Sequence, residues 1–363
     1  MSNDTPQGKL RFAVIGAGNI GPVHARALLE LADSAELVAI ADVVPERAEA
    51  LAARAAEWGG HPRATGDVAS LLASDDIDAV CVCVPSGLHA DVAVAALEAG
   101  KHVVVEKPIE VSLEAADRLI AAEAASGGTV AVVSQHRFDR STEKVLDAVR
   151  AGRLGRVTSI IASHAWWRGQ SYYDSGDWRG TWALDGGGAT MNQTVHTINL
   201  LITLAGTPVE VFSYTACLAH ERIEVEDTAV AVVTFDSGAL GMIHATTAAY
   251  PGLDARLAVY GSKGSAVISD DGLVYFHETL GEAEEIAMSA GTAGNQVTEA
   301  DRLDPSEFGL GLAHRAQLAD FIDAVHTGRA PRVTTSDART TLAVILAMYE
   351  SARSHQPVAI ARA

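Results

Sequence analysis

The stretch LRFAVIGAGNIGPVHARALLELA restricts the fold more than any other part of the chain. A continuous apolar run ends in glycines at Gly16, Gly18 and Gly21, and a helical pattern begins at once. Gly16 permits a tight turn, Gly18 lets a pyrophosphate approach the backbone, and Gly21 lets the helix pack on the strand. The anion then sits at the positive helix end. In a chain with 32 glycines the spacing alone is a weak signal. Its context makes it stronger: the motif follows a buried-type strand, opens a helix, and the next strand pattern, ELVAIAD, ends in an acid, Asp42. Gly16, Gly18, Asn19, Ile20 and Gly21 are therefore expected to line a dinucleotide site. Asp42 would accept hydrogen bonds from ribose hydroxyls and repel a 2′-phosphate, which favours NAD over NADP. A loop or capping carboxylate is the competing role for Asp42.

Further apolar runs, IDAVCVCVP, KHVVVEKP and TVAVVSQ, alternate with helical segments such as PERAEALAARAAEWG. That alternation predicts a parallel sheet covered on both faces. From about Arg156 the pattern becomes short consecutive strands with turn signals at 236–238, 261–265 and 270–272, which predict an antiparallel sheet. The segment 280–310 reads as a long loop, followed by helices near 313–327 and 336–354. The 363 residues exceed what one core usually serves. We place a dinucleotide-binding domain over 1–136 and a second domain over 137–363.

Charge narrows the partners. With 27 Lys and Arg against 46 Asp and Glu, the net charge of -19 opposes nucleic acid and anionic membranes. MSNDTPQGKLRF has no apolar signal-peptide core, and no run spans a bilayer. Three cysteines are too few for a disulfide framework, and Cys81 and Cys83 read as core thiols, so no metal is assigned. A reducing, cytoplasmic setting fits.

Strand ends in such a sheet line one crevice. This brings Pro85, Ser86 and His89 from CVPSGLHA, and Glu106 and Lys107 from VVVEKP, to the cofactor; the competing roles are a helix-start residue for His89 and a surface lysine for Lys107. Lys107 follows a buried strand and precedes a proline, at the edge where a nicotinamide ring belongs. Farther on, DGGGATMNQTVHTINLL reads as one helix after three glycines. Met191, Val195, Ile198 and Ile202 form an apolar stripe, and Asn192, His196, Asn199 and Thr203 form a polar one beside it. The polar stripe either faces a substrate or is satisfied by internal hydrogen bonds. HAWWRGQSYYDSGDWRGTW, residues 164–182, concentrates aromatic and charged groups. Trp167, Arg168, Tyr172 and Arg179 are candidates for sugar contact there, and the two arginines admit a uronate or a sugar nucleotide. The competing role is a loop packed on its own aromatics or at a subunit interface.

GAGNIG, AGKHVVVEKP and the GGG…H…N segment together resemble the Gfo/Idh/MocA family (glucose–fructose oxidoreductase, inositol dehydrogenase and rhizopine catabolism), over nearly the whole chain. The resemblance implies a Rossmann domain followed by an α/β domain with a large, mostly antiparallel sheet. That sheet commonly packs against another subunit, implying a homodimer or homotetramer. It also implies a dehydrogenase of sugars or cyclitols, with the catalytic lysine at Lys107 and the histidine at His196. Many members carry an aspartate where this chain has Asn192, and often an acid where it has Asn199. An amide can position a hydroxyl but cannot take its proton. His196, whose unperturbed imidazole titrates near ~6.5, would take the hydroxyl proton, while Lys107 orients the hydroxyl and steadies the alkoxide. Two other functions stay open: redox-assisted glycoside cleavage with NAD regenerated, and a non-catalytic protein that senses a dinucleotide.

Overall fold

The structure, a computed structural model, describes residues 8–279, 294–301 and 310–362. Contacts divide the chain into two compact units, Met1–Gln135 with Gly309–Arg339, and His136–Phe308 with Thr340–Ala363.

The first unit alternates strand and helix: β1 (Leu10–Ile15), α1 (Gly21–Glu30), β2 (Ala35–Ala41), α2 (Pro45–Glu57), β3 (Arg63–Thr65), α3 (Val68–Leu72), β4 (Ala79–Val82), α4 (His89–Glu98), β5 (His102–Val105), α5 (Leu113–Ser126) and β6 (Val130–Val132). The strands form one parallel sheet in the order β3-β2-β1-β4-β5-β6. The order reverses between β1 and β4, where β1 and β4 point their C-terminal ends into a common crevice. Phe12, Val14, Ile40, Cys81 and Val104 form the core with Leu28 of α1. Burial also pushes the Cys81 and Cys83 thiols up, which suits apolar packing rather than thiolate chemistry.

A late helix, numbered α9 in chain order (Leu310–Thr327), packs with this unit. It adds Leu318, Phe321 and Ile322 to the same core. Gln317 of α9 accepts from Ser134 N at 2.9 Å and donates to Val132 O at 2.8 Å. Gln135 and His136 fall in different units, and α9, which the sequence reading set in 137–363, packs with the first.

The second unit is built on α6 (Arg140–Arg150), β7 (Val157–Ala165), α7 (Gln170–Tyr173), α8 (Val195–Ala205), β8 (Pro208–Ala216), β9 (Thr228–Phe235), β10 (Leu240–Thr246), β11 (Ala255–Gly261), β12 (Gly264–Ser269), β13 (Gly272–Glu278) and β14 (Val358–Ala359). The sheet order is β13-β12-β11-β7-β10-β9-β8-β14, antiparallel except for the β7/β10 pair. Helix α8 packs across β7, β10 and β11. On β9 burial alternates strictly, so one face of the sheet meets α8 and the other faces out. A long helix, α10 (Thr335–Ser354), ends in this unit. Most of the loop expected over 280–310 lies outside the described residues; its described part, 294–301, holds a short 3-10 turn at Glu299–Asp301. No described helix is long and apolar enough to cross a membrane.

Candidate active site

In the first unit each motif glycine has its own packing reason. A Cβ on Gly16, whose φ is +104°, would lie 2.4 Å from the Cys83 carbonyl oxygen. One on Gly21 would lie 2.3 Å from the Gly16 carbonyl oxygen, so the helix can seat on the turn only without a side chain there. At Gly18 a Cβ would meet nothing within 4 Å. The loop is therefore shut by Gly16 and Gly21 and open at Gly18, the position where a pyrophosphate has to reach the backbone. Ile20 caps α1 without a side-chain acceptor, and the first turn carries no acid, so no anionic side chain competes at the helix end. These residues fit a dinucleotide.

Asp42 follows β2 and is buried. Its Oδ2 accepts from Ala17 N at 2.8 Å and its Oδ1 from Val44 N at 2.9 Å. The carboxylate braces the glycine loop, and each oxygen keeps a second lone pair for a ribose hydroxyl. Both roles weighed for Asp42 are therefore compatible with one geometry.

Glu106 and Lys107 leave β5 at the Lys107–Pro108 turn. The Glu106 carboxylate is buried between His24 Nε2 at 2.8 Å and His314 Nε2 at 3.4 Å, and it accepts from Lys107 N at 3.1 Å. Burial alone would raise this carboxyl, but the two imidazoles override it and hold it well below the ordinary value. Glu106 therefore anchors the backbone that presents the half-buried Lys107. His89 braces the same turn from the other side, with Nδ1 2.7 Å from Pro108 O and Nε2 3.0 Å from Val84 O. Both ring nitrogens thus face carbonyl oxygens of the two turns, and the one N–H of the neutral ring can donate to either. Ser86 is buried and Pro85 half-buried in the turn after β4.

In the second unit the single helix expected over 189–205 is instead a π-helical turn, Ala189–Gln193, followed by α8. Glu226 causes the break. Its carboxylate accepts from Gly188 N at 3.0 Å, Thr190 N at 2.8 Å and Tyr349 Oη at 3.1 Å, taking donors that would start a regular helix. Thr194 N then reaches back five residues to Ala189 O at 3.0 Å, and Thr194 Oγ1 bonds the same oxygen at 2.9 Å. The polar stripe divides accordingly. Asn199 is buried and donates to Thr341 Oγ1 at 2.9 Å, and Thr203 Oγ1 donates to Asn199 O at 2.7 Å, so this half is structural. From Ala189 to Leu200 only Asn192 and His196 are not buried.

Asn192 is an amide, yet it donates to the buried carboxylate of Asp185, whose other oxygen accepts from Gly180 N at 2.8 Å. A carboxylate thus stands behind Asn192, seven positions earlier in the chain. Beside His196 lies His136, ring centroids 5.1 Å apart and edge to face. His136 meets Asp139 at 2.8 Å and Asp271 at 2.9 Å. Burial opposes its charge, but the two carboxylates carry its pKa up to about 10, so it is an imidazolium at neutral pH. That charge opposes a second proton on His196. Neither Asp185 nor His136 was singled out from sequence: Asp185 reads as a flank of the glycines, and the acid that meets His136 from another element, Asp271, lies 135 positions away.

The aromatic segment forms one hydrogen-bonded network. Arg168 donates to Gln193 Oε1 at 2.9 Å, Gln193 Nε2 donates to Tyr172 Oη at 2.9 Å and Asn192 Oδ1 at 3.1 Å, and Arg179 donates to Tyr172 Oη at 2.6 Å. Trp167 packs edge to face on Tyr250, so it belongs to the neighbouring turn. Arg168, Tyr172 and Arg179 are thereby joined to Asn192. Gln193 makes the join, and no sequence pattern marked it.

Residues 10–134 match the family model described as an oxidoreductase family with an NAD-binding Rossmann fold, and residues 142–267 match the GFO/IDH/MocA C-terminal domain. A myo-inositol 2-dehydrogenase of Thermotoga maritima is 33% identical over 259 residues, 70% of this chain and 74% of its own length. The scyllo-inositol 2-dehydrogenase (NAD(+)) of Bacillus subtilis is 27% identical with 96% of each chain covered. The crystal structure of the WlbA dehydrogenase from Bordetella pertussis, in complex with NADH and UDP-GlcNAcA, is similar with a TM-score of 0.83 and 31% identity, over 98% of this chain and 100% of that one.

Proposed function

Because the chain belongs to the Gfo/Idh/MocA family of NAD-binding oxidoreductases, we propose that it oxidises a secondary alcohol of a sugar, sugar derivative or cyclitol, or reduces the corresponding ketone, with His196 as proton acceptor and donor and Lys107 orienting the hydroxyl. The observation that carries this reading is that Asn192 and His196 are only half-buried in a segment otherwise buried from Ala189 to Leu200. Bound NAD supplies the hydride acceptor. Neutral His196 accepts the hydroxyl proton and is left as the imidazolium. Asn192, backed by Asp185, positions a hydroxyl without competing for the proton. Lys107, fixed through the anchored Glu106 turn, stabilises the alkoxide as it forms.

Purified protein supplied with NAD and a panel of cyclitols, hexoses, uronates and sugar nucleotides tests this. NADH formation from at least one is expected, and turnover of aryl glycosides without net NADH would replace the reading with redox-assisted cleavage. Asp42→Ala is expected to weaken NAD about 10- to 100-fold through lost ribose hydrogen bonds and to narrow the NAD/NADP affinity ratio. An unchanged ratio, measured by fluorescence titration, would leave Asp42 with only its backbone partners.

The homo-oligomer implied by the resemblance finds support in the outward sheet face. Tyr214, Val230, Val232, Leu240 and Met242 are exposed there, and the register sets Val232 beside Met242 and Tyr214 beside Val230. So contiguous an apolar surface marks an interaction site. Sedimentation should give a dimer or tetramer that Val232→Glu shifts toward the monomer; a monomeric wild type at micromolar concentration would exclude it.

A further inference from the structure

Arg168 and Arg179 are half-buried, in a chain that carries 46 acidic residues against 27 basic ones. Among the described residues, however, every side-chain contact of the two guanidiniums is to a neutral group. Arg168 bonds Gln193 and lies 4.9 Å from the Trp166 ring centroid and 5.1 Å from that of Tyr172. Arg179 bonds Tyr172 Oη and lies 4.3 Å from the Tyr172 centroid and 4.5 Å from that of Trp178. Elsewhere two sheltered arginines of the same chain meet acids, Arg339 with Asp117 at 2.5 Å and Arg153 with Glu278 at 2.6 Å.

The two cations share one aromatic ring, so they are held near each other without a carboxylate between them. Like charges brought together in a partly desolvated place repel, and aromatic faces offset that only in part. Asp185, the carboxylate of the same network, turns its oxygens to Gly180 N and Asn192 Nδ2. Each guanidinium has five donors in a planar fork, and the network uses two on Arg168 and one on Arg179. The remaining donors match an oxyanion. Arg168 is itself fixed, because its carbonyl accepts from His220 Nε2 at 2.6 Å.

We propose that Arg168 and Arg179, stacked on Tyr172 and linked through Gln193 to Asn192, form an anion subsite for an oxyanion carried by the substrate. This rests on the reading of Asn192 and His196 as the reacting end, and it narrows the substrate from any sugar or cyclitol to an acidic one. The oxyanion is either a carboxylate on the ring, as in a uronate, or a phosphoryl group attached to the sugar. The short network from Tyr172 to Asn192 sets the anionic group next to the end of the substrate that reacts.

The test compares kcat/KM for myo-inositol, glucuronate, glucose 6-phosphate and a nucleotide-linked glucuronate in wild type, Arg179→Met and Arg179→Lys. Acidic substrates should be preferred, and Arg179→Met should cut the acidic-to-neutral ratio about 10- to 100-fold, mostly through KM. Arg179→Lys should recover part of the loss, because it keeps the charge without the fork. Whichever of the free uronate and the phosphorylated sugar shows the larger drop identifies the source of the oxyanion. A neutral cyclitol turned over as well as any acid, with a ratio indifferent to Arg179, would overturn the subsite while leaving the dehydrogenase standing. If no compound yields NADH, calorimetry of the same acids on the NADH complex still decides: binding lost in Arg179→Met supports the subsite, and binding indifferent to the substitution overturns it.

Discussion

His196→Ala is expected to lower kcat by about 10²- to 10⁴-fold, the range that a positioned acid–base group contributes, with NAD affinity kept within a few-fold. The residue belongs to the second unit and the glycine loop to the first, so the two readouts separate chemistry from binding. Turnover equal to wild type would remove the proton role. The pH profile adds a second check. His136 stays cationic up to about 10 and lies 5.1 Å from His196, centroid to centroid. His136→Asn deletes that positive charge and leaves Asp139 and Asp271 uncompensated, and both changes favour a proton on His196. The base form is then lost at a higher pH, so the acidic limb of kcat/KM should move upward. A limb that stays in place, or moves down, would show that His136 serves only the fold.

The cofactor end was legible because its constraints are local. Gly21 lies five positions from the Gly16 backbone that its Cβ would strike, and apolar runs in β1, β4 and β5 announce buried parallel strands. The parts that were missed all depend on distant partners. A polar stripe at helical spacing cannot reveal that Asn199 is claimed by Thr341, 142 positions away. Nor can the run after the three glycines reveal that Glu226 captures its first donors and widens it into a π turn, since five residues of α and π helix carry the same pattern. Helix α9 reads as part of whatever follows the antiparallel strands, yet Phe321 fills the core of the first unit. Asn192 in place of an acid suggested a weakened site. The structure instead seats its amide on the buried carboxylate of Asp185, a partner that helical spacing does not pair with it.

Gly188→Ala is expected to be the most damaging single-methyl change in the second unit. Its Cβ would lie 1.8 Å from the Glu226 carbonyl oxygen, which is backbone and cannot swing aside, and 2.9 Å from Val225 Cγ2. Relief requires the glycine run to back away from Glu226. That motion breaks the bonds from Gly188 N and Thr190 N to a carboxylate only 4% exposed, and the bond from Ala189 N to Glu226 O at 3.0 Å. Overpacking costs about 1–3 kcal/mol, and leaving a buried charge short of partners costs about 3–5 kcal/mol more. Against a total stability of about 5–15 kcal/mol, such a loss lowers Tm by roughly 10 °C or more, or prevents folding. The same run presents Asn192, so any folded fraction should also be slow. Gly18→Ala is the matching control, since its Cβ meets nothing within 4 Å. Its Tm should stay near that of wild type while NAD binding falls, because the added methyl group stands where the pyrophosphate must approach. Calorimetric scans of the two variants decide the matter. A Gly188→Ala protein melting within 2–3 °C of wild type, about the shift expected for 1 kcal/mol, would mean that the close approach of Gly188 to Glu226 does not hold this part of the site together.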